Sequence, residues 1–188
     1  MTKYLILVKH SVPEPDEGRP ANTWRLSKEG RRRAERLAEQ LKEFQPEVLV
    51  CSNEPKATET AEIVAGLLQL ETQVVEGLYE HDRSNVPYLS SERFQASIHE
   101  LFHKPAELVF GHETANQAHD RFYRAVHSVL NRYRDKTVVI VTHGTVISLF
   151  VSRLTGVDGI SLWNGLSLPA FIALDLSSST VIVRNNIV

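Results

Sequence analysis

Residues 5–11 read LILVKHS: four aliphatic residues run straight into a lysine, a histidine and a serine. Tyr4 to Val8 has the length and composition of a buried strand, and no turn residue separates it from the ionisable groups. The pattern recurs. Residues 48–53 read VLVCSN and residues 138–144 read VVIVTHG. In open α/β sheets, ligands gather beyond the carboxyl ends of the strands. Three strand ends, Lys9–His10–Ser11, Cys51–Ser52–Asn53 and Thr142–His143–Gly144, therefore outline one candidate site, with a histidine at two of them.

Helical patterns alternate with these strands. Ser27 stands as an N-cap, after which Ala34, Leu37, Ala38, Leu41 and Phe44 recur on one face, while the arginines from Arg31 to Arg36 lie largely on the solvent side. Asn53 is placed to cap a second helix with Pro55 in its first turn and Ala57, Ala61, Val64, Ala65 and Leu68 as its apolar face. Thr72 to Val75 is a third short strand, and residues 77–89 are irregular. Ser90 or Ser91 opens a short helix closed by Pro105. Ala118, Phe122, Val126, Val129 and Tyr133 mark a long amphipathic helix. Another runs from about Val146 to Leu154 with Gly156 as its stop. Ala170–Asp175 and Thr180–Arg184 read as a hairpin over a serine turn. The expected architecture is α/β: a three-layer αβα sandwich, its central sheet mainly parallel, helices on both faces, a hairpin at the C-terminal end, all in a single domain over residues 1–188.

Composition narrows the function classes. With 21 basic and 23 acidic residues the net charge is −2, which gives no basic footing for nucleic acid. The one cysteine, Cys51, precludes an internal disulfide and points to a reducing cytoplasm. The N-terminal apolar stretch is too short for a signal peptide, and the longest apolar run, Val138 to Val151, is interrupted by His143 and Gly144. No membrane association is expected, and the sequence is silent on oligomeric state.

Two histidines at one sheet edge with Lys9 and Lys56 nearby suit an anion better than a metal, because neighbouring positive charge repels a metal ion. In sequence order, the motifs Lys9-His10-Ser11, Leu26-Ser27-Lys28-Glu29-Gly30, CSNEPKATETA at 51–61, Leu78-Tyr79-Glu80, Gly111-His112-Glu113 and VVIVTHG resemble the histidine phosphatase superfamily, with its phosphoglycerate-mutase-like fold. That resemblance implies His10 as the nucleophile that takes the phosphoryl group. It implies His143, helped by backbone amides just after Gly144, as a holder of phosphate oxygens, and Lys9 and Lys56 at the family's two arginine positions. Glu80 would protonate the leaving oxygen and later activate water; Asp82, two residues on, is the alternative donor. The substrate would be a small phosphorylated metabolite, with no metal and no cofactor.

The chain departs from the family pattern at both arginines, where lysine supplies charge without the planar fork. Ser11 also replaces the glycine after the nucleophile. Arg83, Arg19 and Arg25 are the candidates to restore a fork, each read by default as a solvated side chain. Only some thirty residues separate Glu80 from Gly111, a short cover that favours hydrolysis of phosphomonoesters over a mutase reaction. Mutase, phosphohistidine-protein phosphatase and weakened phosphate binder remain as alternatives. A different class is spelled by His99-Glu100-Leu101-Phe102-His103, the H-E-x-x-H of zinc peptidases. Pro105 cuts that helix short, and the flanking Phe94, Ile98, Leu101 and Phe102 read as an ordinary buried face. His81, His112, His119 and His127 read as structural or solvated, and Trp24 and Trp163 as packing or pocket walls.

Overall fold

The computed structural model describes residues 3–175 and 180–186; the expected serine turn at 176–179 lies outside them. Six strands form one sheet: β1 Tyr4–Lys9, β2 Val48–Cys51, β3 Thr72–Val74, β4 Val138–Thr142, β5 Ala170–Asp175 and β6 Thr180–Asn186. Their order is β3-β2-β4-β1-β5-β6. The first four are mutually parallel, and the β5–β6 hairpin adds to β1 antiparallel. The helices are α1 Lys28–Leu41, α2 Pro55–Leu68, α3 Ser91–His103, α4 Ala115–Arg132, α5 Gly144–Thr155 and α6 Gly159–Asn164.

The three layers follow from the period-2 alternation of the strands. Leu5 and Leu7 of β1, with Val138 and Ile140 of β4, pack with Ile98, Leu101, Phe122, Val126 and Ile147. Ile6, Val8, Val139 and Val141 point the other way, into a second core with Leu37, Leu41, Ala61 and Val64. The expected αβα sandwich is the observed one. No described helix is long and apolar enough to cross a membrane.

Strand register positions the two histidines. β1 and β4 run in parallel with Lys9 opposite Thr142, and the His10 amide donates to the Thr142 carbonyl at 2.9 Å. His10 and His143 therefore leave the sheet side by side.

Some element limits differ from those expected. α5 begins at Gly144, with His143 itself in the N-cap position. Asn53 does not cap α2; Glu54 holds that place without a side-chain cap bond, because its carboxylate is used elsewhere. α6 carries no periodic signal, being only six residues long. Gly156 does end α5, in the left-handed conformation (φ 76°) that favours glycine.

The loop between β1 and α1 is held by close backbone contact. Ser27 Oγ accepts from the Gly30 amide at 3.0 Å. A β-carbon on Gly30 would stand 2.0 Å from the Val12 carbonyl oxygen, and neither backbone can yield without moving the residues after His10. Gly30→Ala is therefore expected to destabilise the fold by about 3 kcal/mol, the upper range for overpacking. A denaturant midpoint displaced by less than the equivalent of about 1 kcal/mol would mean that the loop relaxes freely.

Candidate active site

His10 is 7% exposed. Its Nδ1 lies 2.7 Å from the Ser11 carbonyl oxygen. A carbonyl only accepts, so Nδ1 carries the proton and the neutral ring keeps its lone pair on Nε2. Burial, then the neighbouring His143 and Lys56, hold the imidazole well below its ordinary range, leaving it neutral at physiological pH. Ser11, in the place of the family's glycine, is accommodated: its hydroxyl donates to the Gly30 carbonyl at 2.7 Å, and its amide donates to Thr60 Oγ1 at 3.0 Å.

His143 is fully buried, and its ring centroid is 5.2 Å from that of His10. Its Nε2 meets Ser52 Oγ at 2.8 Å, while Nδ1 is buried without a partner in the protein. Burial and the Lys56 charge hold it, too, well below the usual histidine range. A neutral histidine with an unspent ring nitrogen suits contact with an anion's oxygen.

His10 lines a cavity of about 160 Å³ with Lys9, Lys56, Glu80, Arg83 and Gly144; Trp24, Phe94 and Trp163 are among its apolar walls. Lys9 Nζ donates to the Leu166 carbonyl at 2.8 Å and lies 6.0 Å from the Trp163 ring centroid. Burial lowers its pKa to about 8, against a small opposing effect of Glu80. Gly144 leaves room for this chain, since a β-carbon there would come within 3.1 Å of Lys9 Cε.

Lys56, 3% exposed, donates to the Ala21 carbonyl at 2.7 Å and to Glu54 Oε2 at 2.5 Å. Glu54 is a site residue that the sequence does not reveal. It is buried, accepts the Glu80 amide at 2.9 Å on its other oxygen, and lies 3.6 Å from His143 Nε2. The only signal in the sequence is an acid two residues before the lysine, in a strand-to-helix loop; the folded chain turns it into the lysine's counter-ion.

Glu80 is delivered by the irregular segment after β3. Arg121 of α4 holds that segment, donating to the carbonyls of Gly77, Tyr79 and Glu80 at 2.8, 2.9 and 3.1 Å. Arg121 also pairs with Glu113 at 2.5 Å, and Glu113 accepts the Asp82 amide at 2.9 Å. The Gly111-His112-Glu113 stretch thus acts by shaping the Glu80 loop. The Glu80 carboxylate accepts from the amides of Thr145, Val146 and His81 at 3.2, 3.3 and 2.9 Å. Burial alone would raise its pKa. His143, the Arg83 guanidinium and the His81 amide outweigh burial and hold it below the ordinary carboxylate range.

The amides just after Gly144 are expected to hold phosphate, but those of Thr145 and Val146 are engaged by Glu80. A carboxylate satisfies the positive end of α5 as an anion would.

Of the three arginines considered for a fork, only Arg83 lines the cavity, so its solvated reading is overturned. Its guanidinium stacks over Phe94, 4.5 Å from the ring centroid, and its Nη1 is buried with no partner. Arg25 instead pairs with Glu59 at 2.5 Å and Arg19 with Asp16 at 3.4 Å, both guanidinium groups being exposed. Asp82 turns into its own loop, accepting from the Ser84 amide and hydroxyl at 3.1 and 2.8 Å. His81 is buried and bonded to the Glu113 carbonyl at 2.7 Å. His99 and His103 end the exposed face of α3, where His103 Nδ1 meets the His99 carbonyl and Glu100 pairs with Lys104 at 2.8 Å. No group of three potential metal ligands occurs among the described residues.

The chain is similar to known proteins in sequence and in fold. The chain is 26% identical over 133 residues to the uncharacterized phosphatase PhoE of Bacillus subtilis, covering 71% of this chain and 66% of that one. It is 28% identical over 136 residues to phosphoglycerate mutase-like protein 4 of Arabidopsis thaliana, covering 68% and 59%. The matches thus span about two thirds or less of these relatives. In fold it is similar to the phosphoserine phosphatase of Entamoeba histolytica in complex with 3-phosphoglyceric acid, with a TM-score of 0.79 and 17% identity over 98% of this chain and 97% of that one. The model of branch 1 of the histidine phosphatase superfamily matches residues 5–179. With five of the six strands and every strand end of the site inside that match, the chain belongs to the histidine phosphatase superfamily.

Proposed function

We propose that this chain, as a single domain, hydrolyses small phosphomonoesters through a phosphohistidine on His10. The observation that carries the reading is the orientation of one ring. His10 donates its Nδ1–H to the Ser11 carbonyl, which leaves the Nε2 lone pair free on a ring that lines one cavity with Lys9, Lys56 and Arg83. Phosphoryl transfer asks chiefly for positioning and for positive charge around the equatorial oxygens. Here three cationic side chains supply that charge, and they would repel a metal ion from the same place.

In the first half-reaction His10 Nε2 attacks phosphorus, the ester P–O bond breaks, and the leaving oxygen takes a proton from Glu80. In the second, Glu80 takes a proton from water, the oxygen attacks phosphorus, the P–N bond breaks, and His10 returns to its neutral form with release of phosphate. Glu80 begins as a carboxylate, so the phosphomonoester enters as its monoanion and passes its proton to Glu80 as the phosphoryl group docks. Negative charge entering beside Glu80 offsets that of Arg83, which favours protonation. His143 and Arg83, each with an unpartnered buried nitrogen, are assigned to phosphate oxygens, with Lys9 and Lys56 as point charges. The lone buried Cys51 suits a reducing cytoplasm.

A screen of phosphate release across monoesters in the presence of EDTA tests the activity directly. Release that persists with chelator, with an acid-labile phosphoenzyme in quenched samples, is expected. Isomerisation without net release would move the assignment to mutase, and no turnover at all would leave a phosphate binder.

The pH profile follows from the free site, which kcat/KM reports. His10 titrates well below 6.5 and sets no limb near neutral pH, while the proton carried in by the substrate monoanion makes kcat/KM decline above its second ionisation at about pH 6. Lys9 is charged below its pKa of about 8, so a further alkaline limb should appear as Lys9 deprotonates above about 8. Lys9→Arg should remove the alkaline limb, because guanidinium stays charged. An unchanged limb in that variant would show that another group causes it.

A further inference from the structure

We infer that the leaving-group side of this site takes an apolar, ring-bearing alcohol in preference to a polyhydroxylated one. The inference rests on the phosphohydrolase reading and names its substrate class. A second cavity, of about 220 Å³, shares Trp24, Arg83 and Phe94 with the one that holds His10. A dry cavity of about 150 Å³ already accepts a benzene ring, so this one has room for a substituted ring.

Its walls set the chemistry. Trp24 and Tyr88 stand 6.3 Å apart between ring centroids, tilted at 41°, and Phe94, Val86 and Leu89 complete an apolar surround. The indole N–H of Trp24 is spent on the carbonyls of Asp16 and Arg19, at 3.0 and 3.1 Å. The ring's polar edge is thus tied to its own loop, and its faces are what remain for contact. Phe94 is held by the Arg83 guanidinium at 4.5 Å and, edge to face, by the Trp163 ring at 5.9 Å.

Among the described residues lining this second cavity there is no carboxylate or side-chain amide; its polar side chains beyond the aromatic rings are Arg19, Arg83 and Ser91. A sugar or glycerol group would bring several hydroxyls to a wall where only Arg19, Arg83 and Ser91 can replace their water, the rest pressing on apolar faces. A ring loses nothing polar on entry and gains stacking. Arg83 stands at the junction, within reach of a phosphate on one side and of a ring face on the other.

The test compares primary-alcohol monoesters, so that leaving-group chemistry is matched: 2-phenylethyl phosphate against glycerol 3-phosphate. The expected kcat/KM ratio is about tenfold or more in favour of the phenyl compound. Tyr88→Ala, at a half-exposed position, and Trp24→Ala should each reduce that ratio several-fold. Binding is read in parallel by calorimetry with the non-hydrolysable 3-phenylpropylphosphonate and 3,4-dihydroxybutylphosphonate, in which a methylene replaces each ester oxygen. Turnover of both esters at similar kcat/KM overturns the subsite while leaving the phosphohydrolase standing. Absence of turnover, with the phenyl phosphonate bound about tenfold tighter, keeps the subsite and removes the catalytic reading. Equal phosphonate affinities remove the subsite whatever the turnover.

Discussion

His10→Ala is expected to abolish turnover, by at least about 10⁴-fold, since loss of a covalent nucleophile removes the whole two-step route. The acid-labile phosphoenzyme should vanish with it. Phosphate affinity should fall much less, because Lys9, Lys56 and Arg83 remain around the cavity. The fold should survive, since the backbone bond from His10 to Thr142 is independent of the side chain. Quenched single-turnover samples and phosphate calorimetry on the same variant separate these outcomes. Turnover within about tenfold of the parent would remove His10 from the mechanism and leave the site with no nucleophile.

Lys56→Met should damage both activity and stability, and the two effects can be told apart. Removing one charge from a transition-state anion costs about 10²- to 10³-fold in kcat. The same change strands Glu54, whose partner at 2.5 Å is gone and whose side chain is only 8% exposed. Breaking a buried ion pair by deleting one member costs about 3–5 kcal/mol, much of it the penalty of the orphaned charge. The double variant Lys56→Met/Glu54→Gln removes that orphan while keeping an oxygen for the Glu80 amide. Stability should largely return in the double variant and turnover should not. If both returned together, the loss in Lys56→Met would be a folding defect and Lys56 would have no part in phosphate binding. A stable Lys56→Met protein with turnover within about twofold would likewise remove Lys56 from phosphate binding.

The strand ends are legible in LILVKHS, VLVCSN and VVIVTHG because buried parallel strands are continuous apolar runs, and polarity at their ends has no packing reason to be there. The alternation of helix and strand periods is enough for the layers of the sandwich, and local capping chemistry for Ser27 and Gly156. His10 and His143 can be paired from sequence because both follow strands of one sheet at the same end.

What tertiary structure alone decided is the partnership of charges. Glu54 and Lys56 are near neighbours in sequence, yet their ion pair matters only because the fold buries it against His143. Arg83 is indistinguishable in sequence from Arg19 and Arg25; its place over Phe94, eleven residues on, depends on how the irregular segment folds back onto the first turn of α3. Glu80 reaches the start of α5 because Arg121 and Glu113, more than thirty residues downstream, clamp the loop that carries it. Periodicity and motif spacing record which residues share an element and a face. Electrostatic coupling falls off with distance in space and with exposure, and neither is written in the order of the chain.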